Sequence, residues 1–492
     1  MSTRFAPAAA TFDLVIADAW VLDGSGGPGY RADVAVDGER IAAIGAPHSL
    51  HGRKREDACG LALAPGFIDV HTHDDRAVLD DPGVFNKLSQ GVTTVIAGNC
   101  GISLAPWRAD REPPAPLSLI GGQADFRFER FRDYLDAVDA ARPAVNVAAM
   151  VGHSTLRIAE VADLGRAADD AEIERMRARL REAMQAGAIG FSSGLFYQPS
   201  RAAPNSEVIE LVRESGAHGG VYASHLRDEY DGVLEAIDEA VDAGETAHTP
   251  VVLSHHKCAG PANWGRTVET LARIDERRRR HWVGLDAYPY TAGSTVLDPD
   301  YVDGLIRILV SWSTPHPEQA GRDLSDIAAD WRVDQKEAAR RLHPAGAVYF
   351  QMREDDVRRV LSHDRTMIGS DGLPHDAHPH PRLWGAFPRV LGHYCRDQGL
   401  FHLPEAVRRM TALSADSFGL KRRGRIAPGL AADLVLFDPD TIADRATFAE
   451  PKQAAAGIRA VWVGGACALR DAHATGERRG RVLRREEERH AR

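Results

Sequence analysis

The 492-residue chain is long enough for a large core and more than one domain, and its 44% hydrophobic and 26% charged residues are typical of a globular protein. Its 70 acidic and 60 basic residues give a formal net charge of −10, which argues against nucleic acid or an anionic membrane as the main partner. No stretch approaches the ~20 apolar residues of a membrane span, and the first residues are too weakly patterned for a secretory signal. The five cysteines are scattered and suggest no disulfide framework. We therefore expect a cytoplasmic protein.

The two ends of the chain carry the same short-strand pattern. Apolar and polar residues alternate there with a period of two, and glycine-containing turn signals follow the runs. The strand-like runs are residues 12–16, 32–36, 432–437 and 458–463. The pattern predicts one small β-sandwich domain built from residues 1–62 and 417–480, with two separate β units as the alternative.

Between these ends the pattern changes to a repeated strand–helix unit. The apolar, strand-like runs are residues 66–70, 92–97, 147–151, 188–191, 220–224, 250–254, 281–287 and 366–370. The clearest helix covers residues 169–186, where apolar side chains recur every three or four positions and Gly187 provides a C-cap. Such units across residues 63–416 predict an α/β fold, a (β/α)8 barrel rather than an open sheet, and no glycine-rich dinucleotide motif interrupts them.

Two segments depart from this rhythm. Residues 297–349 are mostly polar and helix-like, so we expect an insertion that covers the mouth of the barrel like a lid. Residues 481–492 are nearly all charged, which predicts a solvated tail.

Side chains that can bind a metal follow the apolar strands repeatedly. In a (β/α)8 barrel the functional groups lie where the strands end, at the C-terminal mouth. The residues in these positions are His71, His73, Cys100, His225, His255 and Asp371. His71 and His73 are two apart in an extended strand, so their imidazoles project from the same face. Thiolate, imidazole and carboxylate donors of this kind suit zinc.

Each of these residues has an ordinary explanation when it is taken alone. A single histidine at a strand end is usually hydrogen-bonded, and a buried cysteine such as Cys100 is usually a small hydrophobic residue. We interpret Cys258 and His153 in that way, as structural residues. Chance explains poorly why potential ligands stand at so many successive strand ends, so the sequence predicts a metal centre.

The segment GFIDVHTH at residues 66–73 resembles the metal motif of the amidohydrolase superfamily. GRIAPGLAADLV at residues 424–435 resembles the return of the chain into that superfamily's small β domain. Within the superfamily the chain resembles the N-acyl-D-amino-acid deacylases, or D-aminoacylases. The matching segments are GVTTVIAGNCG (91–101), GAIGFSSGLFYQP (187–199), SHLRDE (224–229), SHHK (254–257), DAYPY (286–290), IGSDG (368–372) and HPRLWGAFPRVLG (380–392).

One position separates this branch from the dihydroorotases and hydantoinases. Those members of the superfamily bridge two metals with a carboxylated lysine, in a Gly-x-x-Gly-Phe-Lys context. Here residues 187–191 (GAIGF) are followed by Ser192, which cannot be carboxylated. The resemblance therefore makes Cys100 the bridging or primary thiolate ligand and favours linear N-acyl amino acids over cyclic amides.

The resemblance also implies the metal ligands. Those of a tightly held zinc are Cys100, His225 and His255, and those of a second, weaker site are His71, His73 and Asp371. Bound zinc lowers the pKa of its water from ~15.7 to about 7. Asp371, as general base and then general acid, would move the proton of that water to the leaving nitrogen.

The implied substrate is an N-acyl-D-amino acid, hydrolysed to a carboxylate and a free D-amino acid. Tyr197 is a candidate donor to the carbonyl oxygen, with a place in the aromatic core as its alternative role. The substrate carboxylate calls for a cation, and Arg382 is the best candidate because its planar fork can bind a carboxylate bidentately. Lys257 could assist it, and the resemblance adds the hydroxyl groups of Tyr288 and Ser294.

The nearest alternative function is another amidohydrolase reaction, on a cyclic amide, an N-carbamoyl amino acid or a dipeptide. A non-catalytic member of the fold that serves in binding or assembly is a further alternative, although such proteins generally lose ligands. The expected partner is therefore a small-molecule substrate, and the sequence contains no pattern that specifies an oligomeric state.

Overall fold

A computed structural model describes residues 11–485 of the chain. Its strands are β1 (Thr11–Val21), β2 (Tyr30–Asp37), β3 (Arg40–Gly45), β4 (His51–Asp57), β5 (Ala62–Pro65), β6 (Phe67–Asp69), β7 (Val92–Ala97), β8 (Trp107–Arg108), β9 (Arg127–Phe128), β10 (Asn146–Gly152), β11 (Gly190–Gly194), β12 (Val221–His225), β13 (Val251–Leu253), β14 (Val283–Ala287), β15 (Gly293–Val296), β16 (Ile308–Ser313), β17 (Ala345–Tyr349), β18 (Thr366–Ile368), β19 (Leu434–Phe437), β20 (Ile458–Val463), β21 (Ala466–Arg470) and β22 (His473–Ala474).

The helices lie mainly between the strands of the middle region. They are α1 (Ala77–Asp80), α2 (Phe85–Leu88), α3 (Phe131–Ala141), α4 (His153–Glu160), α5 (Asp170–Ala186), α6 (Gln198–Arg201), α7 (Asn205–Ala217), α8 (Val233–Ala247), α9 (Thr267–Arg278), α10 (Leu324–Trp331), α11 (Gln335–Leu342), α12 (Glu354–Ser362), α13 (Arg382–Arg389), α14 (Leu403–Met410) and α15 (Ala412–Phe418). A wider, π-helical segment, Val390–Asp397, continues α13. No helix between residues 11 and 485 has the length and apolar character of a membrane span.

The middle region forms the predicted barrel. Its eight strands pair in the order β6, β7, β10, β11, β12, β13, β14 and β18, and each pair is parallel. A parallel bridge between Thr72 and Gly372, just beyond β6 and β18, joins the first strand to the last. Each of these strands lies on one of the apolar runs in the sequence, so the (β/α)8 prediction is confirmed.

The predicted helix at residues 169–186 is present as α5. Asp169 accepts a hydrogen bond from the backbone N–H of Glu172, and the Glu172 side chain accepts one from the backbone of Asp169, which forms a capping box. Gly187 ends the helix with φ of 115°, a conformation that a side chain disfavours. Both ends of the helix are therefore encoded locally.

Strands from both ends of the chain form a single nine-stranded sheet, separate from the barrel. β5 pairs antiparallel with β19, for example Ala64 with Val435, and this pair connects the two halves. Side chains from both ends, among them Ile16, Val34 and Trp462, share one apolar core. The alternative of two separate β units is therefore wrong for the described residues.

The segment after β14 differs from the sequence prediction in its secondary structure. It contains α10 and α11, but β15, β16 and β17 form a three-stranded antiparallel sheet with β17 in the centre. The interpretation of residues 297–349 as mostly helical is therefore wrong. The short run at 308–313 (ILVSWS) forms a strand because it pairs with β17, a partner far away in the sequence.

The expected solvated tail also needs correction over its first residues. The backbone N–H of Val147, at the start of barrel strand β10, donates to the carbonyl of Arg481, and that of Leu483 donates to the carbonyl of Val147. Val482 and Leu483 are buried, with 3% and 2% of their surface exposed. Residues 481–485 therefore pack against the base of the barrel, and the rest of the predicted tail lies outside the described residues.

Candidate metal centre and substrate pocket

The predicted ligands converge at the C-terminal mouth of the barrel. They form two groups, within each of which the ligand atoms lie no more than 4.8 Å from one another: His71, His73, Cys100 and Asp371 in the first, and Cys100, His225 and His255 in the second. Every one of these residues is buried. Side chains from five different strand ends are thus brought together in the arrangement that the sequence predicted.

Cys100 joins the two groups. Its Sγ lies 3.1 Å from Nε2 of His71 and 3.3 Å from Nε2 of His255. Nδ1 of His225 lies 2.9 Å from the same nitrogen of His255. On the other side, Nε2 of His73 lies 3.3 Å from Oδ1 of Asp371. The arrangement provides two adjacent cation positions that share one sulfur.

The chemistry of these donors fits zinc. Sulfur and imidazole nitrogen are donors that zinc prefers, and a carboxylate adds negative charge. Burial alone would raise the pKa of Cys100, but His71 and His255 hold it well below its ordinary value, which favours the thiolate that a metal requires. Nε2 of His225 and Nδ1 of His73 are buried with no hydrogen-bond partner among the described residues.

Three of the ligands have an unusual backbone conformation. Cys100, His255 and Asp371 have φ of 54°, 36° and 49°, in the left-handed region that residues with side chains rarely adopt. Each follows directly on a barrel strand or its short extension, where the chain turns away from the mouth. Such strain costs about 1–3 kcal/mol per residue and is typical of functional sites.

A cavity of about 260 Å³ opens beside the ligands. His73, His225, His255 and Asp371 form part of its lining. Three of the predicted substrate contacts, Lys257, Tyr288 and Ser294, line the same cavity, as does Tyr197. The cavity therefore contacts both the predicted metal ligands and the groups expected to bind a carboxylate.

Tyr197 is positioned as a hydrogen-bond donor. Its hydroxyl lies 3.0 Å from Oγ1 of Thr295, and its ring packs against His225 with centroids 4.9 Å apart. Burial and the nearby Cys100 raise the pKa of Tyr197 well above its ordinary value, so the hydroxyl keeps its proton at neutral pH. Burial likewise raises the pKa of Tyr288 to about 12.

Arg382 contacts a residue that the sequence did not pair with it. Its Nη1 lies 2.8 Å from Oδ2 of Asp371, its Nη2 donates to the carbonyl of Ser294 at 3.1 Å, and its guanidinium lies over the ring of Tyr288. Burial would raise the pKa of Asp371, but Arg382 and His71 hold it well below its ordinary value. Arg382 thus orients Asp371 and keeps it ionised.

With this geometry established, the family of the chain can be identified. The sequence pattern of the Amidohydrolase family matches residues 55–468, most of the chain. The chain belongs to the amidohydrolase family. A D-aminoacylase of Alcaligenes xylosoxydans xylosoxydans is 53% identical over 474 residues, which cover 96% of this chain and 98% of that protein, and this places the chain in the D-aminoacylase branch.

Two solved structures are similar to this amidohydrolase over its whole barrel and sheet. A D-aminoacylase with a binuclear metal centre, in which one metal activates and the second attenuates, is 52% identical, with a TM-score of 0.94 and coverage of 96% of this chain and 100% of that one. An N-acyl-D-glutamate deacylase from Bordetella bronchiseptica, complexed with zinc and a phosphonate mimic of the tetrahedral intermediate, is 48% identical, with a TM-score of 0.93 and the same coverages.

The amidohydrolase centre depends on two buried carboxylates that the sequence analysis did not assign. An oxygen of Asp286 lies 3.2 Å from Nδ1 of His71, and its Oδ1 accepts the backbone N–H of His255 at 2.9 Å. Glu229 lies 3.1 Å from Nδ1 of His255 and accepts a hydrogen bond from Lys257 at 2.5 Å. Both residues orient the imidazoles, a role that partners of metal-binding histidines commonly have. The sequence signals that could have identified them are the position of Asp286 near the end of an apolar run and the position of Glu229 four residues after His225.

Ser192 has a structural role at the position where other branches have a lysine. Its hydroxyl donates to the carbonyl of Gly98 at 2.5 Å and accepts the backbone N–H of Gly101 at 3.0 Å. These bonds hold the turn that carries Cys100. The residue that excludes a carboxylated lysine therefore also positions the thiolate.

Proposed function

We propose that the protein is a zinc-dependent deacylase that hydrolyses N-acyl-D-amino acids to a carboxylate and a free D-amino acid. The observation that carries the proposal is a single cavity lined both by ligands of the Cys100-centred cluster and by Lys257, Tyr288 and Ser294. One pocket can then hold both the amide of the substrate that is cleaved and the carboxylate of the substrate that is bound. The names of the similar proteins support the D configuration and zinc.

Zinc would be held most firmly by Cys100, His225 and His255. His71, His73 and Asp371 would hold a second ion more weakly, as the resemblance to the D-aminoacylases implies. Held by these residues, zinc would supply Lewis-acid chemistry, which makes a water nucleophilic and polarises the carbonyl of the substrate. The remaining steps belong to side chains of the protein.

Asp371 is the proposed acceptor and donor of the proton. Its carboxylate is ionised, faces the cavity and is held in place by Arg382. It can accept a proton from the attacking water and deliver it to the nitrogen that leaves as the amine. Tyr197, which keeps its phenolic proton, can donate a hydrogen bond to the carbonyl oxygen as negative charge develops there.

The carboxylate of the substrate is proposed to bind at Lys257, Tyr288 and Ser294, close to His255. Burial would lower the pKa of Lys257, but Glu229 raises it, so the ammonium is charged. The Oγ of Ser294 is buried without a hydrogen-bond partner in residues 11–485, and Tyr288 offers a protonated hydroxyl. We keep Arg382 in this set because its Nη2 donates to Ser294 and its guanidinium lies over Tyr288; Arg382 itself is buried and is not among the residues that line the cavity.

We also propose the domain division of the sequence analysis, with the small sheet domain at residues 1–62 and 417–480, the barrel at 63–416 and the lid-like insertion at 297–349. A cytoplasmic location agrees with the free state of all five cysteines. It stays a prediction.

The test combines metal analysis with a substrate comparison on the purified protein. We expect zinc in protein purified without chelators, turnover of N-acetyl-D-leucine and no detectable turnover of N-acetyl-L-leucine. Removal of the metal should abolish the activity, and added zinc should restore it. Faster hydrolysis of a hydantoin, an N-carbamoyl amino acid or a dipeptide would contradict the proposed substrate, and the absence of both metal and turnover would favour a non-catalytic protein.

A further inference from the structure

The side chain of Arg76 connects three loops at the mouth of the barrel. Arg76 follows His73 by three residues, in the loop between β6 and α1. Its Nη1 donates to Oδ2 of Asp125 at 2.7 Å, and its Nη2 donates to Nδ1 of His375 at 2.7 Å. Asp125 lies between β7 and α3, and His375 lies between β18 and α13. We call Arg76, Asp125 and His375 the loop clamp.

The clamped loops are those that carry one of the two cation positions. The ligands of that position, which follow β6, β7 and β18, are His71, His73, Cys100 and Asp371. The other position shares Cys100 but takes its imidazoles from the ends of β12 and β13. Within residues 11–485, the remaining ion pair of the Arg76 side chain is with Asp80 on α1, and none is with the loops after β12 and β13. The clamp therefore acts on the position that we propose to be the weaker one.

The clamp joins the segments that carry His73 and Asp371, the two ligands nearest to it in the sequence. Asp371 precedes His375 by four residues, and its left-handed turn persists only where the surrounding structure determines it. The bond from the backbone N–H of Asp371 to the carbonyl of His71 fixes the chain at the turn, and the bond between Arg76 and His375 fixes the chain after it. Because Arg76 is also close to His73 in the sequence, the same bond limits how far Nε2 of His73 and Oδ1 of Asp371, which lie 3.3 Å apart, can separate.

The charges of the clamp suit its hydrogen bonds. Burial and the positive charge of Arg76 lower the pKa of His375 to about 4, so the imidazole is neutral at neutral pH and its Nδ1 accepts the bond from the guanidinium. The carboxylate of Asp125 balances the charge of Arg76 and also accepts the backbone N–H of Gly122 at 2.9 Å, which fixes its own loop. The three clamp residues are not among those that line the cavity. They affect a bound metal only through the position of the loops.

We infer that Arg76 is a positioning residue for the second metal position, and that the loop clamp sets how tightly this position binds zinc. The inference rests on the proposed function, which supplies the two zinc positions. Ligands that are already held in place lose less freedom when the metal binds, so a fixed loop favours binding. Removal of a group that orients metal ligands typically lowers metal affinity about 10- to 100-fold. The tight position, with two of its three ligands on other loops, should be spared.

The first experiment counts the zinc bound per chain when the zinc-loaded enzyme is dialysed against buffers of graded free zinc concentration. We expect a tight and a weak step in the parent, and Arg76→Met should move only the weak step, to a free zinc concentration about tenfold higher or more. An unchanged weak step, or an equal shift of both steps, would overturn the inference. A parent that binds a single zinc ion would also overturn it and leave the deacylase function intact, whereas a parent that binds none would contradict the proposed zinc enzyme itself.

Arg307→Met is the matched control. Arg307 also joins two segments through an arginine–carboxylate pair, with Nε 2.7 Å from Oδ1 of Asp323, but it lies in the lid-like insertion. This variant should leave both zinc steps in place. A shift of the weak step as large as that of Arg76→Met would show that the effect is not specific to the clamp, and would overturn the inference.

Two further variants break the clamp without removing Arg76, and they provide the test if Arg76→Met does not fold. His375→Ala removes the bond to the loop after β18, and Asp125→Asn removes a charge but keeps an oxygen for the backbone N–H of Gly122. Each should raise the free zinc concentration of the weak step alone. Adding His375→Ala to Arg76→Met should shift the weak step no further than Arg76→Met does, because both remove the same bond. Shifts that multiply would show independent effects and would overturn the clamp.

Discussion

Asp371 shows how a single residue can serve both structure and chemistry at this centre. Its backbone N–H donates to the carbonyl of His71 at 2.8 Å, which fixes the left-handed turn after β18. Its carboxylate lies between His73 on one side and Arg382 on the other. The strained backbone thus directs the carboxylate into the cavity, where the proposed reaction requires a proton acceptor.

Replacing Asp371 by Asn should lower kcat by about 10²–10⁴-fold, because the amide keeps the size of the side chain but cannot accept the proton. Cys100, His225 and His255 remain, so zinc content should stay near one ion per chain. Steady-state kinetics on an N-acetyl-D-amino acid and metal analysis of the same preparation measure both quantities. A kcat within tenfold of the parent value would contradict the role of Asp371.

The ligand residues could be predicted from the sequence because each follows a strand, and strand ends share one face of a barrel. The side chains that contact these residues could not be predicted in the same way. The carboxylates of Asp286 and Glu229 meet the imidazoles of His71 and His255, and Arg382 meets Asp371, only when the barrel is folded, because the residues of each pair lie on different elements. Hydrophobic periodicity carries no information about such pairs.

At the scale of elements, the seam between β6 and β18 is held by a buried ion-pair cluster. Nζ of Lys87, on α2, lies 2.8 Å from Oδ2 of Asp69, 3.1 Å from Oδ2 of Asp74 and 3.0 Å from Oγ of Ser370. Oδ1 of Asp69 accepts the backbone N–H of Ser370 at 2.7 Å. Burial alone would lower the pKa of Lys87, but the carboxylates of Asp69 and Asp74 raise it above its ordinary value. The cluster joins the strand that leads to His71 with the strand that leads to Asp371.

Replacing Lys87 by Met should destabilise the protein by about 3–5 kcal/mol, because it leaves buried carboxylates without their cation. The double substitution of Lys87 by Met and Asp74 by Asn should recover part of that loss. Denaturant unfolding measures the free energy of unfolding of both variants.

Lys336→Met is the matched control, because Lys336 pairs with Asp300 at an exposed position and its replacement should change stability by less than about 1 kcal/mol. Equal stability of Lys87→Met and the control would contradict the role of the cluster.

The strands of the barrel were predictable as elements, but those of the lid-like insertion were not. Barrel strands are buried on both faces and appear in the sequence as continuous apolar runs. β16 (ILVSWS) and β17 (AGAVY) are also apolar and buried, but the polar helical segments around them dominate the pattern of residues 297–349. Their pairing with each other, which spans the helices α10 and α11, decides their conformation.

For the whole molecule, the described C-terminal segment is part of the barrel rather than an appendage. Leu483 packs into the same apolar cluster as Met150, on barrel strand β10, and Ile189, just before barrel strand β11. The backbone N–H of Arg485 donates to the carbonyl of Gly187 at 3.1 Å. The sequence did not predict this contact because residues 481–492 are nearly all charged, and the apolar part of the contact consists only of Val482 and Leu483.

Leu483→Ala should therefore lower the free energy of unfolding by about 2–5 kcal/mol, as for other buried leucines. Leu305, with 73% of its surface exposed, provides the control, and Leu305→Ala should change stability by less than about 0.5 kcal/mol. Thermal and denaturant unfolding of the two variants should differ accordingly. Similar unfolding midpoints would show that the segment does not contribute to the stability of the barrel.

The sheet shared by the two chain ends has a consequence for synthesis on the ribosome. β1–β5 emerge first, yet β5 pairs with β19, and the side chain of Arg470 reaches Glu56 across 414 residues. Until nearly the whole chain has been translated, β5 presents an edge of unpaired backbone N–H and C=O groups, which favours association with other chains. The barrel strands emerge in the order in which they pair, so each can pair with the preceding strand soon after it is made. β5 is thus made early and pairs early with β1, but its second edge is among the last to find a partner.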